Sequence, residues 1–260
     1  MEVVIVDDVT VGARLVADAI AALVSERPGA VLGLATGSTP LPVYKALIAL
    51  QHEGLDLGSV TAFALDEYVG LPPSDPASYR SVLREEFTDR IGLPPEHLHT
   101  PDGLSDDLPQ ACHMYEQAIQ EAGGIDVQLL GVGTDGHIGF NEPTSSLGSG
   151  TRIKTLTHQT IADNARFFGD DPARVPRHVI TQGVGTILGA RHLILLAWGP
   201  GKAPAVAATV EGPITAMVPS SALQLHPHVT VVVDEAAASS LQLTDYYRHV
   251  YDNKPPWQGL

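Results

Sequence analysis

Six short, almost wholly apolar runs, each followed by a polar or glycine-rich turn, constrain this chain more than any other feature. They are residues 3–6 (VVIV), 30–35 (AVLGLA), 60–65 (VTAFAL), 126–130 (DVQLL), 192–198 (HLILLAW) and 229–233 (VTVVV). A run of four to seven residues that is apolar at nearly every position is buried on both faces, as in a parallel sheet covered by helices. The stretches between them carry helical signals. Asp8 or Thr10 can cap a helix whose apolar face is Ala13, Leu15, Val16, Ile20 and Leu23. Further helices are expected at residues 41–52, 77–87, 108–122 and 184–190, before residue 210 and after residue 233, with an aromatic tail from Tyr246 to Trp257. Residues 152–157 alternate like an exposed strand, and residues 161–174 are mixed and polar, as in a mobile segment. Strands alternating with helices predict an α/β protein: a doubly wound, mostly parallel sheet flanked by helices. No linker or repeat divides the chain, so residues 1–260 read as a single domain.

Composition narrows the partners. Fifteen basic against thirty acidic residues give a net charge of −15, which disfavours nucleic acid and anionic membrane surfaces. A small phosphorylated ligand would need a local positive pocket within that field. The single cysteine, Cys112, cannot form an internal disulfide and falls in a helical stretch, where a buried thiol is the simple reading. The first residues (MEVVIVDD) lack a basic segment ahead of a long apolar one, and no apolar run approaches the ~20 residues of a membrane span. A cytoplasmic location is expected.

Residues 131–143 (GVGTDGHIGFNEP) follow the fourth apolar run and place Asp135, His137 and Glu142 on one glycine-punctuated loop. Proton-transfer groups just beyond the carboxyl end of a strand are a common way to build an α/β active site. Three readings are open. The imidazole can shuttle a proton while the carboxylates orient it and stabilise its charge. The same residues can ligate a metal, although no second histidine stands at H-x-H or H-x-x-x-H spacing. They can also be turn formers around a packed histidine. No G-x-S-x-G elbow supports a serine triad.

Other strand ends carry related features. Gly37, Ser38 and Thr39 separate the second run from a helix, with Thr39 as expected N-cap and Pro40 at the first helical position. Free backbone N–H groups there make an anion site or simply a well-capped helix start, and neither a Walker loop nor G-x-G-x-x-G is present. Residues 199–202 (GPGK) put Lys202 at a helix start, against the helix dipole. A bound anion would resolve that conflict; a solvated surface lysine is the alternative. Asp66-Glu67-Tyr68 closes the third run, where a carboxylate at the lip of an apolar sheet can have a raised pKa, and spacing does not decide between Asp66 and Glu67. His97, His99, His226 and His228 lie in loop-like runs and read as surface or packing residues, and Trp198 reads as core.

In combination these segments are specific. LGLATGSTP (32–40), ALDEYVGL (64–71), GVGTDGHIGFNEP (131–143), TRIKTLT (151–157), ARFF (165–168) and GPGKA (199–203) occur in one order. Together they resemble the glucosamine-6-phosphate deaminases of the sugar-phosphate isomerase family, across nearly the whole chain. A DGH motif alone would also suit the related 6-phosphogluconolactonases, which lack the GFNEP and LDEY segments. The resemblance implies a Rossmann-like sheet and conversion of glucosamine 6-phosphate and water to fructose 6-phosphate and ammonia, with neither metal nor cofactor. It makes Asp66 the base at C2 and His137 the group that opens the sugar ring, with Asp135 and Glu142 tuning it. Gly37, Ser38, Thr39, Arg166 and Lys202 would bind the phosphate beneath a lid at about 152–181. Ser145, Arg152 and Lys154 match an effector site of regulated hexameric members, while Glu2 and Gly150 depart from that pattern. A lactone hydrolase and a non-catalytic sugar-phosphate sensor are the alternatives on the same fold, and a homo-oligomer is the expected assembly if the effector site is kept.

Overall fold

The computed structural model describes residues 1–255 and 258–260, so Trp257 of the aromatic tail lies outside the described residues. Its strands are β1 (Glu2–Val6), β2 (Val31–Leu34), β3 (Thr61–Ala64), β4 (Asp66–Tyr68), β5 (Leu98–His99), β6 (Val127–Gly131), β7 (Arg152–Thr155), β8 (His178–Thr181), β9 (His192–Ala197) and β10 (Val229–Asp234). Seven of them form a parallel sheet in the order β1-β10-β9-β6-β2-β3-β5. The six apolar runs supply all but the edge strand β5.

Each central strand faces two hydrophobic cores. Leu32 and Leu34 pack with the helices Val9–Glu26 and Leu41–His52, whereas Val31 and Ala35 pack on the opposite side with the helices Leu108–Glu121 and Ala203–Val210. Neighbouring strand residues point to opposite faces, which is why these runs are apolar throughout instead of alternating. A fully buried aliphatic side chain contributes about 1.5–3 kcal/mol, so the two cores together dominate the favourable side of folding.

The order of strands fixes where a site can form. From β2 the chain steps through β3 towards β5, whereas β6 returns to the other side of β2 and steps through β9 towards β10. The connections therefore diverge between β2 and β6, and a crevice opens above their carboxyl ends. The loops beginning at Gly37 and Gly131 leave these two strands. Thr39 lies against Gly131, where an added Cβ would come within 3.7 Å of the Thr39 Cβ.

A second sheet, of order β4-β8-β7 and antiparallel throughout, sits beside this crevice. The segment DEY is thus a strand and not a turn. Register places Asp66 and Arg152 both opposite Thr181, and Tyr68 and Lys154 both opposite Val179. Directly paired residues share a face, so Asp66, Tyr68, Thr181, Arg152 and Lys154 belong to one side of the small sheet. The Gly139–Asn141 backbone crosses that side: Phe140 N donates to Thr181 Oγ1 at 3.2 Å and Arg152 Nη1 to Asn141 Oδ1 at 2.8 Å. Among the described residues no helix is long and apolar enough to cross a membrane.

Candidate active site

The loop after β6 folds back tightly on itself. Gly133 N donates to His137 O at 2.9 Å and Gly136 N to Gly133 O at 3.0 Å, with Gly136 at φ +85°, a region that favours glycine. The His137 ring then lies flat against Gly133, where a Cβ would stand 2.2 Å from ring atom Cε1. Only glycine leaves room for the imidazole. Its Nδ1 lies 2.7 Å from Asp135 Oδ1 and 3.5 Å from Glu142 Oε2. Both approaches are bent away from a straight hydrogen bond, so the contacts are mainly ionic.

The protonation states follow from these surroundings. Burial pulls the His137 pKa down, but the adjacent Asp135 and Glu142 carboxylates outweigh it and raise the pKa to about 9. The same contact with His137 holds Asp135 well below the usual carboxylate range. Glu142 is buried, and its second oxygen, Oε1, accepts from Thr160 Oγ1 at 2.6 Å.

Asp66 and Glu67, equivalent by spacing, are not equivalent in the fold. Glu67 accepts from the backbone N–H groups of Tyr68, Tyr79 and Arg80 at 2.8–2.9 Å, so its carboxylate is committed to holding the helix Tyr79–Leu83. Among the described residues the Asp66 carboxylate accepts no hydrogen bond. Burial, with a smaller contribution from the Glu67 charge, raises its pKa to about 8, and the nearby His137 charge moderates the rise. A buried, unbonded carboxylate that faces an imidazolium is equipped to take a proton from a bound molecule.

The anion-binding elements lie at neighbouring strand ends. Gly37 adopts φ +89°, and Ser38 is exposed in the turn before the helix Leu41–His52. That helix spans the expected residues, but Pro40 occupies the cap position and no side chain caps it, so Thr39 is not the N-cap. With φ fixed and no N–H, Pro40 keeps the preceding residues in a turn. Trp198 is partly buried, and its Nε1 donates to Thr39 O at 3.0 Å, tying this loop to the end of β9. Beyond Trp198, Gly199 turns with φ +82° while its N–H donates to Asp234 at 2.9–3.0 Å, which sets the start of the Lys202 turn. Burial lowers the Lys202 pKa; Asp135 and Asp163 favour its charge and Arg166 opposes it. Lys202 and Arg166 are therefore near enough to bear on each other's charge, with the exposed Arg166 guanidinium 4.7 Å from the centre of the Phe167 ring.

Ser145 is buried, and its hydroxyl has no hydrogen-bond partner among the described residues. Arg152 reaches Asn141, while Lys154 lies one pleat further along β7 on the same face. Glu2 is paired with Lys254 at 3.0 Å. Two side chains of this region escaped the sequence reading. The helix His158–Asn164 is capped by Thr157 and brings Thr160 to Glu142, and Asn164 donates to the Tyr68 hydroxyl at 2.9 Å. The available signal was Thr157 ahead of a helical turn, hidden by the mixed polarity of residues 161–174.

The sequence profile of the glucosamine-6-phosphate isomerases and 6-phosphogluconolactonases matches residues 8–232. The chain belongs to this family. It is 61% identical, over the full length of both chains, to a glucosamine-6-phosphate deaminase of Streptomyces avermitilis, and 61% identical over the full length of both to one of Pseudarthrobacter chlorophenolicus. Among solved structures, a monomeric glucosamine-6-phosphate deaminase superposes with a TM-score of 0.89 at 42% identity, covering 92% of this chain and all of that one. The 6-phosphogluconolactonase of Trypanosoma cruzi superposes with a TM-score of 0.73 at 20% identity, covering 93% of this chain and 97% of that one, a likeness of fold alone. Within the family's sheet, the candidate site occupies the crevice between β2 and β6. The ligand atoms of Asp135, His137 and Glu142 lie within 4.8 Å of one another, so they also have the spacing of a metal-binding group.

Proposed function

We propose that the protein is a glucosamine-6-phosphate deaminase, releasing ammonia and fructose 6-phosphate. The observation that carries this reading is Asp66: a buried carboxylate, free of hydrogen bonds among the described residues, facing the His137 loop from a separate strand. Hydrolysis of a lactone needs an activated water but no base at a substrate carbon. The full-length identity of 61% to proteins named as deaminases supports the same choice.

The chemistry divides between the two loops. His137 moves a proton between the anomeric hydroxyl and the ring oxygen, and the ring opens to the C1 aldehyde. Asp135 and Glu142 stabilise the imidazolium at the charged stage of that transfer. Asp66 then removes the C2 proton; the C2–H electron pair becomes the C1=C2 bond of an enolamine while the C1 carbonyl pair moves to O1, which takes up a proton. Return of the proton to C1 leaves an imine at C2; water adds to it and ammonia departs, leaving the C2 ketone. Each positioned acid or base is typically worth about 10²–10⁴-fold in rate.

The phosphate rests on the Gly37–Ser38–Thr39 backbone with Lys202 and Arg166 as counter-charges. A dianion relieves the mutual repulsion of these two cations and restores the Lys202 charge that burial disfavours. Residues 152–181 act as a lid within a single catalytic domain in the cytoplasm, supported by the contacts of Thr160 and Asn164 with Glu142 and Tyr68. Ser145, Arg152 and Lys154 form the effector position. Sedimentation velocity with and without N-acetylglucosamine 6-phosphate tests the homo-oligomer that such a site requires: a monomer in both conditions removes the effector reading.

The direct test measures ammonia and fructose 6-phosphate from glucosamine 6-phosphate, with and without EDTA. Turnover in both conditions is expected. A folded protein that releases no ammonia overturns the reading, and loss of turnover with EDTA restores the metal alternative for Asp135, His137 and Glu142.

A further inference from the structure

Glu142 has an ionic contact on one oxygen and a hydrogen bond on the other. One oxygen lies 3.5 Å from His137 Nδ1, and the other accepts from Thr160 Oγ1 at 2.6 Å. Thr160 is itself buried, on the first turn of the helix His158–Asn164. Its backbone N–H donates to Thr157 Oγ1 at 3.1 Å, and the two threonine hydroxyls are 2.8 Å apart. An ionised carboxylate only accepts, so the single Thr160 hydroxyl proton is directed to Glu142 and the Thr157 hydroxyl must donate to Thr160. The result is a directed pair of hydrogen bonds, from Thr157 through Thr160 to Glu142 Oε1, while Glu142 Oε2 faces the imidazole as its counter-charge. Such chains strengthen each of their members.

We infer that Thr160 is a positioning residue: its hydroxyl holds the Glu142 carboxylate in register with His137, so residues 152–181 set the geometry of the acid–base pair. The helix is anchored a second time one turn later, where Asn164 donates to the Tyr68 hydroxyl on the strand that carries Asp66. One short helix thus touches both halves of the site. The charged groups around the imidazole are Asp135 and Glu142 on its own loop and Asp66 on β4, with Lys202 near enough to Asp135 to feel its charge. Only Glu142 among them is bonded to Thr160.

The inference rests on the proposed deaminase reading for its kinetic arm alone. Thr160→Val keeps the side-chain shape and removes the hydroxyl; Thr160→Ser keeps the hydroxyl. A hydrogen bond to a charged group is worth enough that Thr160→Val should lower kcat by about ten- to a hundredfold, with KM for the sugar phosphate little changed. Thr160→Ser should recover most of that loss. In substrate-free protein, the His137 titration followed by imidazole NMR should move down in Thr160→Val, because a carboxylate without its donor holds its charge less well and supports the imidazolium less. Circular dichroism confirms that both variants are folded. Unchanged kcat with an unmoved His137 titration in Thr160→Val overturns the inference, as does equal impairment of Thr160→Ser. If the unmodified protein releases no ammonia, the functional reading fails, while the titration still decides the role of Thr160.

Discussion

Asp66 and Asp135 act on the same imidazole from two different regions, and their acidities are driven in opposite directions. Asp135 lies on the β6 loop, half open to solvent and in contact with His137, and is held as a strong acid. Asp66 lies on the small antiparallel sheet, buried and without a donor among the described residues, and is raised to about 8. Residue type and a shared neighbour do not set a carboxylate's role; burial does, because removing water penalises charge more than one cation at a distance restores it. One carboxylate is thereby fixed as a permanent counter-ion and the other kept able to change protonation state.

The strongest way to break this contrast is Asp66→Asn. Exchange of the C2 hydrogen with solvent deuterium should vanish and kcat fall by about 10²–10⁴-fold, with sugar-phosphate binding retained. Persistent exchange identifies another base. Since the base must be ionised, kcat/KM of the unmodified protein should rise with pH through about 8. A pH profile that is flat between 6 and 9 removes Asp66 from that role. Gly133→Ala tests the other side, since the new Cβ collides with the ring that defines Asp135's partner. A loss of about 1–3 kcal/mol in stability or an equivalent loss in kcat is expected, measurable by denaturant titration and steady-state kinetics. A variant indistinguishable from the parent shows that the ring has another resting place. Lys202→Ala should weaken phosphate affinity by about tenfold, read by competition with inorganic phosphate. Unchanged affinity excludes Lys202 from the site.

The smallest effect is a stability signature. The folded-state pKa of His137 is raised from 6.5 to about 9, so its contribution is fully present below 6.5 and is lost as pH rises through about 9. Asp135 behaves in the opposite sense: its pKa is depressed, so its contribution is present above about 4 and lost as pH falls. The Tm difference between the parent and His137→Gln should therefore shrink on going from pH 6 to pH 9.5, with about 2–4 °C expected per kcal/mol. A difference that does not change with pH shows that the ring is neutral when folded.

Much of this arrangement was legible in the sequence because it is local. Apolar runs declare doubly buried strands, and the turns at Gly37, Gly131 and Gly199 announce loops at their carboxyl ends. What was hidden depends on pairing between distant segments. Nothing in DEY distinguishes Asp66 from Glu67 until β4 pairs with β8 and the amides of Tyr79 and Arg80 claim Glu67. The strand His178–Thr181 and the two-residue β5 are too short for periodicity to declare them. Thr39 does not cap the helix because Pro40 takes that position. Thr160 was missed because its partner, Glu142, lies eighteen residues away across a turn.

The shared register of β8 has a mechanical consequence. Thr181 stands opposite both Asp66 and Arg152, so these two residues are two strand spacings apart, about 10 Å, across a single hydrogen-bonded ladder. Strands have no intermediate register: a slip of one residue would turn every side chain of β8 to the other face. Asp66 and Arg152 are therefore held at a fixed separation through Thr181, and neither can shift along the ladder without all of its pairings being rebuilt.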